Sequence, residues 1–305
     1  MNILILGRTN WLFDTMLKIS STHNIVGIIS AKSPTEYSIQ LSDFKKFAKD
    51  KNIPFFEAKY NNKSELKSFI KELGCIDVGV SVNFPFIIGQ DYIDLCGLGI
   101  LNAHGGDLPR YRGSACQAWA ILNGENRIGL SIHYMDADKL DSGNIVAKSY
   151  LEINSKTKIK EVYNWFDSEI PSLLMKALDN ISKNPDFILE QQDESKALRC
   201  FPRTPADARI DWSKSALDIQ RLVNASGAPY DGAFTYYENE KIFIIDVELY
   251  KPSFSFNATF GQICSVDKDL IVACGEGTML KINELKKENE FINYNYFNSI
   301  RKKFN

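Results

Sequence analysis

Short apolar runs alternate with amphipathic stretches through the first 150 residues, and this alternation constrains the fold more than any other feature of the sequence. Strand-like apolar runs occur at Asn2–Leu6, Ile25–Ser30, Pro54–Phe56, Asp77–Val82 and Gly99–Asn102. Between them, helical spacing occurs at 11–20, 43–51 and 64–73. Strands that alternate with helices form βαβ units, and their nearly continuous apolar character indicates burial on both faces. The pattern predicts an α/β fold with a Rossmann-like, doubly wound and mostly parallel sheet.

The pattern continues with a helix at 115–123, a strand at 128–134 and a long helix at 158–182. Pro171 lies inside this long helix, so we expect a kink or a break there. Prolines and polar residues then become frequent at 183–209, which is typical of a linker. A helix at 216–225 and short β-like runs follow, at 232–237, 241–249, 260–266, 270–274 and 279–285. They predict a smaller, β-rich domain, either a small OB-like barrel or a sandwich.

A length of 305 residues also suggests two domains. We place a Rossmann-like catalytic domain at 1–190, a linker at 191–204 and the β-rich domain at 205–305. The tail at 286–305 has no clear periodicity and predicts no element.

Charge and composition exclude several classes of protein. Lys and Arg total 36 against 38 Asp and Glu, so a nucleic-acid partner is not expected. No apolar run reaches the roughly 18 residues of a membrane helix, and the first residues enter a strand pattern without a signal peptide. The six cysteines form no Cys-x-x-Cys pair, which indicates reduced thiols in a cytoplasmic protein. With only three histidines, we expect no metal site.

Ligands of open parallel sheets bind at the carboxyl ends of the strands, so the residues after each strand are candidates. The first strand runs into Gly7-Arg8-Thr9-Asn10, which lacks the Gly-x-Gly-x-x-Gly of dinucleotide binding, and NAD is therefore excluded. An anion could still bind the next helix's N-terminus with Arg8 as its counter-charge. Equally, Arg8 could be a solvated loop residue.

The segment after the strand at 99–102 is the densest in polar and glycine residues. Asn102 and His104 lie two apart and therefore point to the same side of an extended strand. Gly105 and Gly106 follow, and they allow a ligand to approach the backbone. Because of these neighbours, we interpret His104 as a functional residue. His133, inside a strand, is interpreted as structural or solvated.

Three acids follow the strand at 128–134, namely Asp136, Asp138 and Asp141. An acid beside an imidazole fixes its tautomer and stabilises its cation. Asp141 is the best partner for His104, because it is held between Leu140 and a Ser-Gly turn. The alternative is that all three are solvated carboxylates.

Together, Asn102-x-His104, the run Leu-Pro-x-Tyr-Arg-Gly at 108–113 and Leu-Asp141-Ser-Gly resemble the folate-dependent formyltransferases. The segments Arg-Thr-Pro-Ala-Asp-Ala-Arg-Ile-Asp-Trp at 203–212 and Pro-Tyr-Asp-Gly-Ala-Phe at 229–234 resemble the second domain of the methionyl-tRNA and sugar branches. The resemblance covers most of 1–250. It implies formyl transfer from N10-formyltetrahydrofolate, a co-substrate, to an amine without a metal.

In this family the matching Asn102, His104 and Asp141 would be catalytic. The amine must attack unprotonated, and the tetrahedral intermediate carries an oxyanion that needs donors. By the same resemblance the pterin of the folate would lie against the loop at 83–88 and the loop at 135–141. The residues that would bind it are Phe84, Pro85, Phe86, Ile88, Ile100 and Asp138. Phe84 and Phe86 could instead be plain core.

The length of the chain and the charge of one loop indicate which amine accepts the formyl group. Glycinamide ribonucleotide enzymes of this family are typically single-domain chains, so the second domain argues against them. The loop at 30–43 has one Lys and two acids, whereas methionyl-tRNA enzymes typically carry a basic insertion there. We therefore predict a dTDP-, GDP- or UDP-linked 4-amino sugar, as used in surface polysaccharide or O-antigen synthesis. The residues expected to bind it are Arg8, Gly105, Gly106, Arg110 and Arg112.

The sequence departs from the family at Gly105-Gly106-Asp107, where Ser-Leu-Leu often stands, so the acceptor pocket is expected to differ. The alternatives are methionyl-tRNA formyltransferase and a catalytically inactive folate-binding module. The oligomeric state is undecided, with a homodimer left open.

Overall fold

Seven strands of the amino-terminal part form one mixed sheet. The computed structural model describes residues 1–34, 37–60, 62–137, 139–183, 187–288, 290–297 and 299–305. The strands are β1 (Asn2–Gly7), β2 (Asn24–Ser30), β3 (Phe55–Glu57), β4 (Val78–Val82), β5 (Ile100–His104), β7 (Arg127–Tyr134) and β8 (Ile145–Glu152). Between β5 and β7 in the chain, β6 (Arg112–Gly113) pairs with β9 (Arg199–Cys200) outside this sheet.

The strand order is β3-β2-β1-β4-β5-β7-β8. β1 to β5 pair in parallel, whereas β7 runs antiparallel to β5. After β1, the strands β2 and β3 are added on one side of β1, and β4 and β5 are then added on its other side. The strand order therefore reverses beside β1. This is the Rossmann-like, mostly parallel sheet that the alternation predicts, and ligands bind such sheets at the reversal point.

The helices are α1 (Asn10–Thr22), α2 (Leu41–Asp50), α3 (Lys63–Glu72), α4 (Gln90–Ile93), α5 (Cys116–Leu122), α6 (Ile159–Lys183) and α7 (Ala216–Ser226). α6 continues through Pro171 as one helix of 25 residues, so the expected break is wrong. Phe166, Ile170 and Leu174 are all buried. Their packing offsets the backbone hydrogen bond that a proline removes, because tertiary burial stabilises a helix more than local propensity does. No helix in the described ranges is both long and apolar enough to span a membrane.

Strand β8 was not predicted from the sequence. It lies at the end of the strand order, and its burial falls from fully buried at Ile145 and Val146 to mostly half-buried and exposed beyond them. An edge strand has one unpaired side and tolerates polar residues, so it lacks the continuous apolar run that marks the central strands.

The chain divides into two compact units, and neither is a single continuous segment. The first consists of 1–116, 128–151 and 163–200, and the second of 117–127, 152–162 and 201–305. In the first unit one cluster of buried side chains includes Leu4, Leu6, Ile29 and Ile100.

The second unit is built on an antiparallel sheet. Its strands are β10 (Ala233–Tyr237), β11 (Glu240–Tyr250), β12 (Ile263–Ser265), β13 (Leu270–Ala273), β14 (Met279–Lys287) and β15 (Glu290–Ile292). They follow the order β10-β11-β14-β13-β12, with β15 paired to β14. The prediction of a β-rich carboxyl-terminal domain is thereby confirmed.

The tail, for which the sequence predicted no element, completes the core of the second unit. Phe304 is 1% exposed, and its ring stacks on Trp212 with centroids 5.5 Å apart. The ring of Phe297, also buried, lies 5.3 Å from that of Phe304. The backbone is fixed as well, because Phe304 N–H donates to the carbonyl of Gly261 over 2.8 Å.

We expect Phe304→Ala to lower the free energy of unfolding by about 3–5 kcal/mol, because it removes a buried aromatic ring and leaves a cavity. Urea unfolding at neutral pH measures this change. Phe291→Ala is the matched control, since that ring is 62% exposed, and its effect should stay within about 0.5 kcal/mol. Equal losses in the two variants would contradict a core role for the tail.

Candidate active site

Two neighbouring strands bring polar side chains to one face of the sheet. In the antiparallel pairing of β5 with β7, Asn102 lies opposite His133 and His104 lies opposite Ser131. Residues opposite each other in a ladder share a face, and so do residues two apart on one strand. The register therefore groups Asn102, His104 and His133.

The carboxylate of Asp141 lies against both histidine rings. Its Oδ2 is 3.5 Å from Nδ1 of His104, and its Oδ1 is 3.6 Å from Nε2 of His133. The backbone N–H of Gly113 donates to Oδ2 over 2.8 Å. The structure thus brings Asn102, His104 and Asp141 together and adds His133 as a fourth member.

Asp141 does not reach this position by following a parallel strand, as sequence reasoning assumed. Because β7 is antiparallel, its last residue Tyr134 lies opposite Leu101, away from His104. The loop that follows instead folds back. Tyr134 N–H donates to the carbonyl of Asn144 over 3.0 Å, and Gly143 lies so close to the Tyr134 carbonyl that a Cβ would be 1.9 Å from its oxygen.

The environment keeps the Asp141 carboxylate charged. Burial by itself would raise its pKa, but the positive charge that His104 can carry, the Gly113 N–H and the Arg199 guanidinium act in the opposite sense. The resulting pKa is below the ordinary value of 3.8. At neutral pH the group is an anion that can accept a proton or stabilise a cation.

His133 is neutral and orients Asn102. Burial lowers the pKa of His133 to about 4. Its Nδ1 lies 2.8 Å from the carbonyl of Tyr134, which can only accept, so the ring proton is on Nδ1. Nε2 then accepts from Nδ2 of Asn102 at 3.2 Å. The interpretation of His133 as structural or solvated missed this contact.

His104 is buried between two oxygen acceptors. On the side opposite Asp141, its Nε2 lies 2.7 Å from the carbonyl of Tyr111. The thiol of Cys116 donates to the same carbonyl over 2.8 Å. The ring can therefore donate a hydrogen bond from either nitrogen.

Gly105 and Gly106 follow His104 in a tight bend. A Cβ at Gly106 would lie 2.3 Å from the carbonyl oxygen of Tyr111 and 2.6 Å from Nε2 of His104. Only glycine fits there. Asp107, the third residue at which the sequence departs from the family pattern, accepts a hydrogen bond from the Tyr150 hydroxyl of β8 over 3.1 Å.

The candidate pterin-binding loop follows β4, beside the point where the strand order reverses. Phe84, Phe86 and Ile88 are half-buried and pack against the same apolar cluster as the buried Ile100. The rings of Phe84 and Phe86 meet edge to face, with centroids 5.6 Å apart. Pro85 between them is half-buried. Asp138, the remaining predicted residue of this group, lies outside the described residues.

The three arginines expected to bind the acceptor differ in their surroundings. Arg8 follows β1 and donates from Nη1 to the carbonyl of Lys32 over 3.1 Å. Arg110 is exposed, with its guanidinium 5.2 Å from the ring centre of Tyr111.

Arg112 is instead buried and held by the side chains of Gln192 and Glu194. Four of its five N–H donors are used within the protein, so Arg112 is not among the residues proposed to bind the acceptor. Among the described residues there is no group of three or more His, Cys, Asp or Glu that could hold a metal ion.

Comparison with known proteins gives two family matches. Residues 1–178 match the formyl transferase family, and residues 203–298 match the formyl transferase carboxyl-terminal domain. A methionyl-tRNA formyltransferase of Clostridium beijerinckii is 29% identical over 286 residues, which is 92% of this chain and 90% of the relative.

Two solved structures resemble the fold over nearly the whole chain. The first, WlaRD, is described as a sugar 3N-formyl transferase with dTDP and 5-N-formyl-THF. Its TM-score is 0.69 at 20% identity, covering 95% of this chain and 98% of that one. The second, an N-formyltransferase of Helicobacter canadensis with folinic acid and dTDP-3-aminofucose, has a TM-score of 0.68 at 19% identity. It covers 93% of this chain and 99% of that one.

The state of His133 makes stability depend on pH. In the unfolded chain the His133 ring has its ordinary pKa of 6.5, whereas burial lowers this pKa to about 4 in the folded protein. Between these two pH values the unfolded ring binds a proton that the folded ring does not bind. Stability therefore falls as the pH falls through this window, by on the order of 2 kcal/mol between roughly pH 7 and pH 5. The Asp141 contribution is lost only at lower pH, below its ordinary 3.8.

We expect His133→Gln to reduce this slope, as measured by urea unfolding at the two pH values. His23→Gln is the control. The pKa of His23 is also lowered by burial, but this residue is only half-buried, and its removal should change the slope less. An unchanged slope in His133→Gln would rule out a neutral, buried His133.

Proposed function

The chain belongs to the formyl transferase family, and from this premise we propose that it formylates the amino group of a nucleotide-linked 4-amino sugar. N10-formyltetrahydrofolate is the formyl donor. The observation that carries the proposal is the contact of Asp141 with His104, beside an Asn102 that His133 orients. A donor pair and a buried carboxylate on one face are what acyl transfer to an amine requires.

In this proposal Asn102, His104 and Asp141 each have a separate role in formyl transfer. Asn102 keeps a second Nδ2 hydrogen, which it can donate to the formyl oxygen as negative charge develops there. The Nε2–H of His104 would supply a second donor to that oxygen by exchanging its contact with the Tyr111 carbonyl for the formyl oxygen. Asp141 stabilises the His104 ring when it carries a proton and accepts, directly or through water, the proton that the attacking amine loses. The bond between the formyl carbon and N10 of the folate then breaks, and N10 takes up this proton as tetrahydrofolate leaves.

The loop after β4 suits the flat ring of the folate. Phe84, Phe86 and Ile88 form a half-buried apolar surface, and such a surface with nearby backbone donors and acceptors is typical of heteroaromatic ligands. We propose that this loop, with Ile100 beneath it, binds the pterin.

Charge favours a sugar acceptor over tRNA. Residues 201–305 contain thirteen Lys and Arg against fourteen Asp and Glu, and the whole chain has a net charge of −2. A surface that binds tRNA needs clustered cations for the phosphates, whereas one diphosphate needs only one or two. Arg8 and Arg110 are the residues we propose for the diphosphate, with Gly105 and Gly106 lining the acceptor side. The sugar enzymes of similar fold agree with this choice.

Methionyl-tRNA is the second candidate acceptor. The observation in its favour is the similarity to the methionyl-tRNA formyltransferase of Clostridium beijerinckii, whose alignment covers 92% of this chain.

A panel assay decides between them. The protein is incubated with N10-formyltetrahydrofolate and either dTDP-, GDP- or UDP-linked 4-amino sugars, dTDP-3-aminofucose or initiator Met-tRNA, and the formylated product is measured. We expect turnover on one of the 4-amino sugars. Turnover on Met-tRNA alone would replace the sugar proposal. Binding of 5-formyltetrahydrofolate without turnover on any acceptor would indicate an inactive folate-binding module.

We expect His104→Ala and Asp141→Ala each to lower kcat by about 100-fold or more while the protein stays folded, because each removes a group that acts in proton transfer or charge stabilisation. The measurement is turnover on the acceptor found in the panel, with circular dichroism as a check on folding. His23→Ala and Asp179→Ala are matched controls distant in sequence from the site. Near-normal turnover in either site variant would mean that the site is misassigned.

A further inference from the structure

The side chain of Gln192 joins three parts of the site with a complete set of hydrogen bonds. Its Nε2 donates to the backbone carbonyls of Asp141 and Gly143 over 2.8 and 2.7 Å. Its Oε1 accepts from Nε and Nη2 of Arg112 over 3.0 and 2.7 Å. Both amide hydrogens and both lone pairs of the oxygen are used. The reverse amide orientation would put oxygen against two carbonyls, so the partners themselves decide it.

The two carbonyls belong to residues of the loop that follows β7. Asp141 has a φ of 52°, in the left-handed region that costs a residue other than glycine about 1 kcal/mol. Its loop folds back from β7, and no regular strand pairing fixes residue 141. One amide bound to the carbonyls of 141 and 143 holds the backbone at the residues before and after Ser142. This fixes the direction in which the Asp141 side chain leaves the backbone.

The other end of the bridge fixes a partner of the same carboxylate. Arg112 is 7% exposed, and Glu194 binds its Nη1 and Nη2 over 3.1 and 2.8 Å in addition to Gln192. The next residue, Gly113, supplies the N–H that donates to Asp141 Oδ2. Gln192 therefore holds the backbone that carries the carboxylate and the strand that carries its donor.

We infer that Gln192 is a positioning residue for formyl transfer, which holds the Asp141 carboxylate beside the ring of His104. The inference rests on the proposed role of Asp141. Gln192 itself touches no reacting group. Its effect should therefore appear in kcat rather than in substrate binding.

Gln192→Glu is the informative substitution. A glutamate keeps the acceptor oxygens for Arg112, so the ion pair and the fold are retained, but it has no hydrogens for the carbonyls of 141 and 143. We expect kcat to fall roughly 10- to 100-fold, the cost of a small misplacement of a catalytic group, with KM for both substrates changed less than about twofold. Gln191→Glu, at an exposed neighbouring position, is the matched control and should leave both constants unchanged.

A double-mutant cycle separates positioning from general structural support. Turnover is measured for Gln192→Glu, Asp141→Asn and the double variant, using the acceptor found in the panel. If Gln192 acts through Asp141, the glutamate should cost less than about twofold once Asp141 has been replaced. Wild-type kcat in Gln192→Glu, or the same loss in both backgrounds, would overturn the inference.

The cycle also distinguishes this inference from the proposed function. Full turnover in Asp141→Asn would reject the role of Asp141 and the inference with it. An inactive Asp141→Asn beside a fully active Gln192→Glu would reject the inference alone.

Discussion

The buried carboxylate of Asp141 is the constraint on which the site depends. A charge removed from water is costly unless hydrogen-bond donors or opposite charges surround it. Here the Gly113 N–H donates to the carboxylate over 2.8 Å, and the ring of His104, which can carry a positive charge, lies 3.5 Å away. These partners come from different segments of the first unit. The anion is therefore stable only when β5, β6, β7 and the returning loop are all in place.

The antiparallel strand β7 is what makes this arrangement possible. It puts His133 opposite Asn102 on one face of the sheet, whereas a parallel strand would offset the residues and slant the hydrogen bonds between them. It also sends the following loop away from His104, so that the loop must turn back to deliver Asp141. The conformation of this loop is held by two contacts, namely the hydrogen bonds from the Gln192 side chain and the close packing of Gly143 against the Tyr134 carbonyl.

Local sequence determines much of the fold, for reasons visible in particular elements. β1, β2 and β4 are buried on both faces, so their apolar runs are continuous and their bounds differ from the prediction by one residue at most. β8 is an edge strand with mixed polarity and gives no such signal. Phe297 and Phe304 join the second core from a segment without periodicity, because burial there depends on distant partners such as Trp212.

The same distinction applies to the site. The sequence alone determined the α/β class, the β-rich second domain and the nomination of Asn102, His104 and Asp141, because strand periodicity and the motif blocks are local properties. Only the tertiary structure decided that His133 is neutral and bound to Asn102, that Arg112 is occupied within the protein, and that Gln192 of the expected linker supports Asp141. Each of these depends on contacts between residues about 30 to 80 positions apart, and on the direction in which β7 pairs with β5. Neither the contacts nor that direction leaves a pattern in the local sequence.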